Sequence, residues 1–244
     1  MTLFDILFGA RNRYTSAEAV VTDVTRMQGN NVCIAALRGG NSIRLNSPAP
    51  KDHWLRSIGG LTPGDAVSLT WRAARRCHRP HLEDGDWNPA LFTKVHRLPD
   101  DELIKLLSAN AFRSIKDAFG NPCFYSESGN AAFTPSKGAR SLASVIVSSV
   151  RAYPYGEGVR ADFVDDRREW TRVPIEDLVI RDHQTNCSSC SSSLPALLAS
   201  EFGGTQAVLR VGLARPFEAK PNAAACYLQV NHVFLIPSKR DHFV

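Results

Sequence analysis

What the sequence lacks narrows its chemistry first. There is no Gly-x4-Gly-Lys-Ser/Thr loop, no Gly-x-Gly-x-x-Gly behind a strand, no His-Glu-x-x-His and no Gly-x-Ser-x-Gly. The usual signatures of a P-loop nucleotidase, a dinucleotide-dependent oxidoreductase, a zinc peptidase and a serine hydrolase are therefore missing. Thr134-Pro135-Ser136-Lys137-Gly138 lacks the glycine spacing of a phosphate loop and reads as linker. The apolar run at the start, Leu3, Phe4, Ile6, Leu7 and Phe8, is broken by Asp5 and too short for a signal peptide or a membrane span. The six cysteines are accordingly expected to stay reduced, in a cytoplasmic chain without a membrane span.

What is present is the balance of an ordinary globular protein, 43% apolar and 22% charged. Intrinsic disorder, collagen and a disulfide mini-protein are excluded. At roughly 100–150 residues per domain, two small domains fit the 244 residues as well as one large one. The net charge of +5 comes from 29 basic and 24 acidic residues, and 22 of the basic ones are Arg. The Arg fork suits phosphate and stacks on flat rings. A GC-rich genome produces the same bias, so charge informs only where it clusters.

Two β-prone segments flank a helical middle. Ala19–Val24, Asn30–Leu37 and Ser42–Leu45 are rich in β-branched and apolar residues, and Arg38-Gly39-Gly40-Asn41 between the last two reads as a hairpin turn. Ala66–Trp71 alternates like a half-buried strand after the turn Leu61–Asp65. From Asp100, a candidate N-cap, the apolar positions Leu103, Leu106, Leu107, Phe112, Ile115 and Phe119 predict one helix, stopped by Gly120 and Pro122. Residues 120–140 are polar and Gly-rich and read as linker. Strands are then expected at Ser144–Val150, Gly158–Val164, Glu169–Pro174, Ala207–Leu213 and Cys226–Leu235, with a short helix at Leu194–Phe202.

Each half thus has a strand, a hairpin, a crossover and further strands, the plan of an OB-fold barrel. The expected fold is mainly β: two tandem OB-like five-stranded barrels joined by a helical connector. The domains run 1–18 (N-terminal extension), 19–98 (first barrel), 99–140 (connector and linker) and 141–244 (second barrel).

Polar groups concentrate in three places. The first holds Arg72, Arg75, Arg76, Arg79, His81, Glu83, Asp84 and Trp87. Its arginines suit phosphate contact and Trp87 offers a stacking platform for a base. His81 with Glu83 and Asp84 would alternatively orient one another or bind a metal, and a loop whose acids neutralise its own arginines is the plain structural alternative. The second is Asp165–Arg172, where alternation places Arg168, Trp170 and Arg172 on one strand face suited to single-stranded nucleic acid, or leaves an ion-paired hairpin with a half-buried Trp170. The third is His183-x3-Cys187-x2-Cys190, half of a tetrahedral zinc site. A second Cys pair is missing, and Cys77, His78, His81, Cys226 or His232 would have to complete it.

The first-half stretch PGDAVSLTWRAARRCHRPHLEDGDW, centred on Pro80-His81-Leu82-Glu83-Asp84, carries a family resemblance. So do RADFVDDRREWTRVPIEDLVIRDH, VLRVGLARPF and CYLQVNHVFL in the second half. Over roughly residues 19–236 the chain resembles the bacterial dual OB-containing domain proteins. That resemblance implies tandem OB folds that recognise nucleic acid or nucleotides, often in bacterial defence. It supplies no catalytic residues.

The function expected is a non-catalytic module for single-stranded nucleic acid or nucleotide, with no cofactor beyond the zinc that His183, Cys187 and Cys190 admit. The nucleic-acid contacts would be Arg72, Arg75, Arg76, Arg79, His81, Trp87, Arg168, Trp170 and Arg172. The alternatives are a scaffold subunit that binds a protein partner in a larger assembly, and a metal-dependent enzyme using the Pro-His-x-Glu-Asp loop.

Overall fold

A computed structural model describes residues 14–126, 130–156, 158–180, 206–218 and 224–236. The expected helix at Leu194–Phe202, the apolar start and the His183, Cys187, Cys190 trio lie outside them.

The first half is a closed five-stranded barrel. Its strands are β1 (Thr15–Arg26), β2 (Val32–Arg38), β3 (Asn41–Ser47), β4 (Asp65–Ala73) and β5 (Asp84–Trp87). They pair in the order β1-β2-β3-β5-β4, and β4 returns to β1. The β3–β5 pair is parallel, and the short helix α1 (Asp52–Ser57) lies between β3 and β4 in the chain. That circuit is OB-like. One long strand makes closure feasible. β1 pairs with β4 through Thr15–Val20 and with β2 through Val20–Arg26, and its register shifts between Val21 and Asp23. Such an irregularity bends a strand and lets it serve two neighbours. Inside are Val21, Val24, Ile34, Ile43, Leu45, Val67, Leu69 and Trp87, with Leu55 of α1 in the same cluster. A further strand, β6 (Thr93–Arg97), runs along β4 with every residue exposed.

The helical middle differs from the expected single helix. α2 (Asp100–Ala109) starts with Pro99 at the N-cap, so Asp100 is already in its first turn. It ends at Asn110, and β7 (Ala111–Phe112) then pairs in parallel with the second half. α3 (Ile115–Phe119) follows, capped by Ser114. The apolar period spans the break because both helices and β7 turn the same side inward. The linker reading of 120–140 is also corrected. β8 (Phe124–Tyr125) pairs with β9 (Ala131–Phe133), and β9 is buried against a strand of the second half.

The second half is a larger sheet with a related strand order. β10 (Leu142–Val147) and β11 (Ser149–Tyr155) follow one another across Ser148, where the expected strand Ser144–Val150 breaks. β12 (Gly158–Val164), β13 (Glu169–Ile175) and β14 (Ala207–Leu213) follow, then the short β15 (Phe217–Glu218) and the long β16 (Ala224–Leu235). Pairing runs β11-β12-β13-β16-β14-β10, with β13 parallel to β16. Phe163, Trp170, Val173, Ile175, Leu209, Val211, Leu228 and Val230 fill its core.

Helix α2 seals the two halves on one side. Its Leu103 and Leu107 are buried in one cluster with Leu37 of β2 and Val208 of β14. Elsewhere Leu178 packs against the first core, the Arg26 amide donates to the Glu176 carbonyl, and a buried ion pair crosses between the halves. Asp23 of β1 is fully buried and accepts hydrogen bonds from Thr22 Oγ1 (2.8 Å), Arg210 Nε (2.9 Å) and Asn231 Nδ2 (3.0 Å). Gly212 makes room for that amide, since a Cβ there would stand 2.9 Å from Asn231 Nδ2. Removing one partner of a buried ion pair strands the other charge. Asp23→Ala should therefore cost about 3–5 kcal/mol in urea unfolding, while Asp23→Leu with Arg210→Met should cost less than either single change. A double variant no better than the singles would show that the pair acts through shape rather than charge.

Candidate nucleic-acid interface

The Pro-His-x-Glu-Asp loop faces inward. It leaves β4 beyond Ala73 and returns as β5, and its acids bind the second half. Asp84 accepts from Arg44 Nε through Oδ1 and from Arg215 Nη2 through Oδ2, both at 2.6 Å. Glu83 accepts from the Ser141 and Leu142 amides at 2.7 and 3.1 Å and from the Ser141 hydroxyl, so it fastens the start of β10. Gly138 packs on Pro80, where a Cβ would collide at 2.4 Å.

His81 is 1% exposed. Its Nδ1 lies 2.7 Å from Arg44 Nη2. A guanidinium only donates, so Nδ1 must accept and the ring is neutral with its proton on Nε2. Burial, helped by Arg44 and Arg215, lowers the ring's pKa from 6.5 to about 3. His81 is thus a member of the joint between the halves and not a ligand contact, which corrects its expected role.

Both tryptophans named as stacking platforms are core residues. Trp87 is 2% exposed, makes edge contacts with Trp54 (4.9 Å) and Phe92 (5.6 Å), and donates from Nε1 to the Pro48 carbonyl at 2.7 Å. Trp170 is 3% exposed, stacks on Phe163 and donates to Asp165 Oδ2 at 2.8 Å. Neither ring is open to a base. The expected Arg168-Trp170-Arg172 face fails for a local reason. The β12–β13 register shifts opposite Asp162, and Arg172 takes φ 57° with its amide on Asp162 Oδ1. The bulge leaves Arg172 outside while Trp170 points into the core; Arg168, in the turn before β13, lies 5.0 Å over the Trp170 ring.

The first arginine cluster divides by use. Arg72 pairs across the sheet with Asp86 (3.0 Å) and lies 4.4 Å over the Tyr14 ring. Arg79 reaches the Gly138 carbonyl at 3.3 Å. Arg75 and Arg76 are exposed.

Sequence reading missed a basic-aromatic face on the second half. Arg151, Tyr153 and Tyr155 alternate along the outside of β11, opposite Asp162, Arg160 and Gly158 of β12. Arg151 lies 5.6 Å from the Tyr153 ring, while Arg160 and Arg172 lie 5.8 and 5.9 Å from that of Tyr155. Tyr153, Tyr155, Asp162, Thr171 and Arg172 line a shallow depression of about 430 Å³. Tyr153 donates to Asp162 Oδ1 at 2.9 Å, and burial with that bond raises its phenol pKa. Next to this face Arg168 lies 4.9 Å over Tyr125. The signal was present as period-two spacing in Arg151-x-Tyr153-x-Tyr155, but the expected strand ended at Val150.

No support appears for a metal site among the described residues. No group of three or more His, Cys, Asp or Glu there is placed to hold an ion, and Cys33, Cys77, Cys123 and Cys226 are free thiols. His232 is bonded to Asp177.

No family model matches the chain, and no curated protein sequence matches it. Solved structures similar to it include a p204 HINb domain at TM-score 0.37 and 12% identity, covering 89% of this chain and 97% of that one. Another is an Ifi202 HINa domain in complex with 20-bp double-stranded DNA, at TM-score 0.37 and 9% identity, covering 91% and 95%. A murine DNA-binding protein bound to double-stranded DNA scores 0.33 at 8% identity, covering 91% and 97%. At such scores the OB-like assignment rests on strand order alone.

The His81 environment makes stability depend on pH. Unfolded, the ring takes a proton below pH 6.5; folded, it does so only near 3. Between those values the unfolded chain binds more protons, so stability rises with pH and is lost on acidification. Between about pH 6 and 4 this one ring should contribute up to about 1.4 kcal/mol per unit. Urea unfolding across that range should show a shallower slope for His81→Gln than for the parent. Parallel slopes would remove His81 from the joint.

Proposed function

We propose that the chain is a non-catalytic nucleic-acid-binding protein. In this reading it consists of two tandem OB-like barrels, residues 19–98 and 141–244, joined by the connector 99–140. Its contact surface is the outside of β11–β13, and its ligand is single-stranded nucleic acid. The observation that carries the reading is the alternation of Arg151, Tyr153, Tyr155, Arg160 and Arg172 on one exposed sheet surface. Among the described residues of that surface, the guanidinia of Arg151, Arg160 and Arg172 outnumber the carboxylates of Asp162 and Glu169. Guanidinia neutralise phosphates, and exposed tyrosines stack bases without regard to sequence. The second and third strands of an OB barrel are also where that fold commonly receives oligonucleotides. Arg75, Arg76 and Arg168 extend the basic surface. The resemblance to dual OB-containing proteins adds bacterial defence as the setting.

A scaffold role is the second reading. It is supported by β6, whose residues are all exposed, with Val95 at 53% and the adjoining Leu91 at 56%. An open strand edge of this kind accepts another strand.

Binding of single- and double-stranded DNA and RNA across a salt series separates the two readings. Nucleic-acid binding should weaken steeply with salt. Arg160→Ala with Arg172→Ala should lower the log-log salt slope on single strands by about 1.4, as expected for two lost phosphate contacts. Tyr155→Ala should cost about 1–3 kcal/mol. Absence of binding at low salt, or variants that bind like the parent, would reject this surface and leave the scaffold reading.

A further inference from the structure

The joint between the halves leaves one guanidinium nitrogen over. Arg210 is 1% exposed. Its Nε donates to Asp23 and its Nη1 to Ser144 Oγ at 3.1 Å. Its Nη2 is buried with no partner among the described residues. Buried donors are almost always satisfied, and an exception calls for an occupant.

Arg210 and Ser144 line a cleft of about 240 Å³ between the halves. The β2–β3 turn forms one wall with Asn41 and Ser42, and Asn110 stands at the end of α2. Arg140 sits at the exposed rim, its guanidinium 4.6 Å over the Phe112 ring. Gly40, at φ +80°, allows the turn to close on Asn110, because a Cβ would stand 3.2 Å from Asn110 Oδ1.

We propose that this cleft binds a small oxyanion, the phosphoryl group of inorganic phosphate or of a nucleoside monophosphate. The nearby carboxylates do not compete for the guanidinia. Glu83 lines the cleft, but its oxygens already accept from Ser141 and Leu142. Asp23 is held by Thr22, Arg210 and Asn231. What remains for a ligand is the unpartnered Arg210 Nη2, the Arg140 guanidinium at the rim and the Ser144 hydroxyl, with the Asn41 and Asn110 amides each already donating once, to Gly39 and Leu106. A guanidinium fork beside hydroxyl and amide donors is the usual recipe for a tetrahedral oxyanion. The volume of about 240 Å³ is on the scale of a phosphate or a mononucleotide. The site is separate from the Arg-Tyr face, so it stands whether or not that face binds nucleic acid.

The experiment is thermal unfolding and titration calorimetry of the full chain against sodium phosphate and uridine monophosphate, with sodium chloride and uridine as controls at equal ionic strength. Phosphate should raise the melting temperature saturably beyond the chloride control, as a ligand selective for the folded state does. Uridine should do nothing. A nucleotide at least tenfold tighter than phosphate would name the nucleotide as the source, and equal affinities would name free phosphate. Arg140→Ala with Asn41→Ala alters only exposed side chains and should weaken the response at least tenfold with the circular dichroism spectrum unchanged. Arg160→Ala with Arg172→Ala should leave it intact. No saturable response to either anion would overturn the site, as would a response that survives the first pair or is lost in the second.

Discussion

Two buried carboxylates, Asp23 and Asp84, join the halves of this chain, and most of its other features follow from keeping them satisfied. An isolated carboxylate in a protein interior is prohibitively unfavourable, so each must be met by donors of fixed geometry. Both belong to the first half and draw on the second. Asp23 is reached by Arg210 and Asn231, and Asp84 by Arg215. Arg44 completes the second group from within the first half and touches Ser141 across the joint. Separating the halves would strand several charges at once. The ionic seam therefore gives the joint a specific geometry, beside the apolar cluster that α2 makes with Leu37 and Val208.

The seam also explains why Pro80-His81-Leu82-Glu83-Asp84 looks like a functional motif. Closely spaced His, Glu and Asp in a loop resemble a metal or proton-transfer site, because both uses demand converging polar side chains. Here the convergence serves joining. Glu83 terminates on backbone amides at the start of β10, Asp84 spans two arginines, and His81 stays neutral as an acceptor for Arg44. The same residue types in the same spacing give different chemistry once every lone pair is committed.

How much was legible in the sequence depended on whether the signal was local. The Gly-rich β2–β3 turn, the alternation of Ala66–Trp71 and the strand at Gly158–Val164 are properties of short windows, and each is found as expected. The break at Asn110 was not legible, because β7 exists only through its parallel pairing with β10. Ala131–Phe133 likewise becomes a strand by lying against Cys226 and Tyr227, far away in sequence. The tryptophans were misplaced for a subtler reason. Simple alternation put Trp170 and Arg172 on one face, but the bulge at Arg172 parts them, and Trp170 turns into the core beneath Arg168. Trp87 faces inward because its indole finds Pro48 and the rings of Trp54 and Phe92. Of those partners only Phe92 is close in sequence; Pro48 and Trp54 are more than thirty residues away.

The arginine excess therefore divides by what it meets. Arg44, Arg210, Arg215 and Arg72 are spent on carboxylates, so they add little to the field outside despite their number. Arg151, Arg160, Arg168 and Arg172 lie over tyrosine rings instead. A ring steadies a guanidinium without neutralising it, and the N–H groups at its rim stay available to an anion. Phe112 holds Arg140 in the same way. An arginine held by a carboxylate is a structural element, whereas one held by a ring is pre-positioned and still cationic. Both proposed anion sites, the strand face and the cleft, draw on arginines of the second kind, and the cleft adds Arg210 Nη2, which the seam leaves without a partner among the described residues.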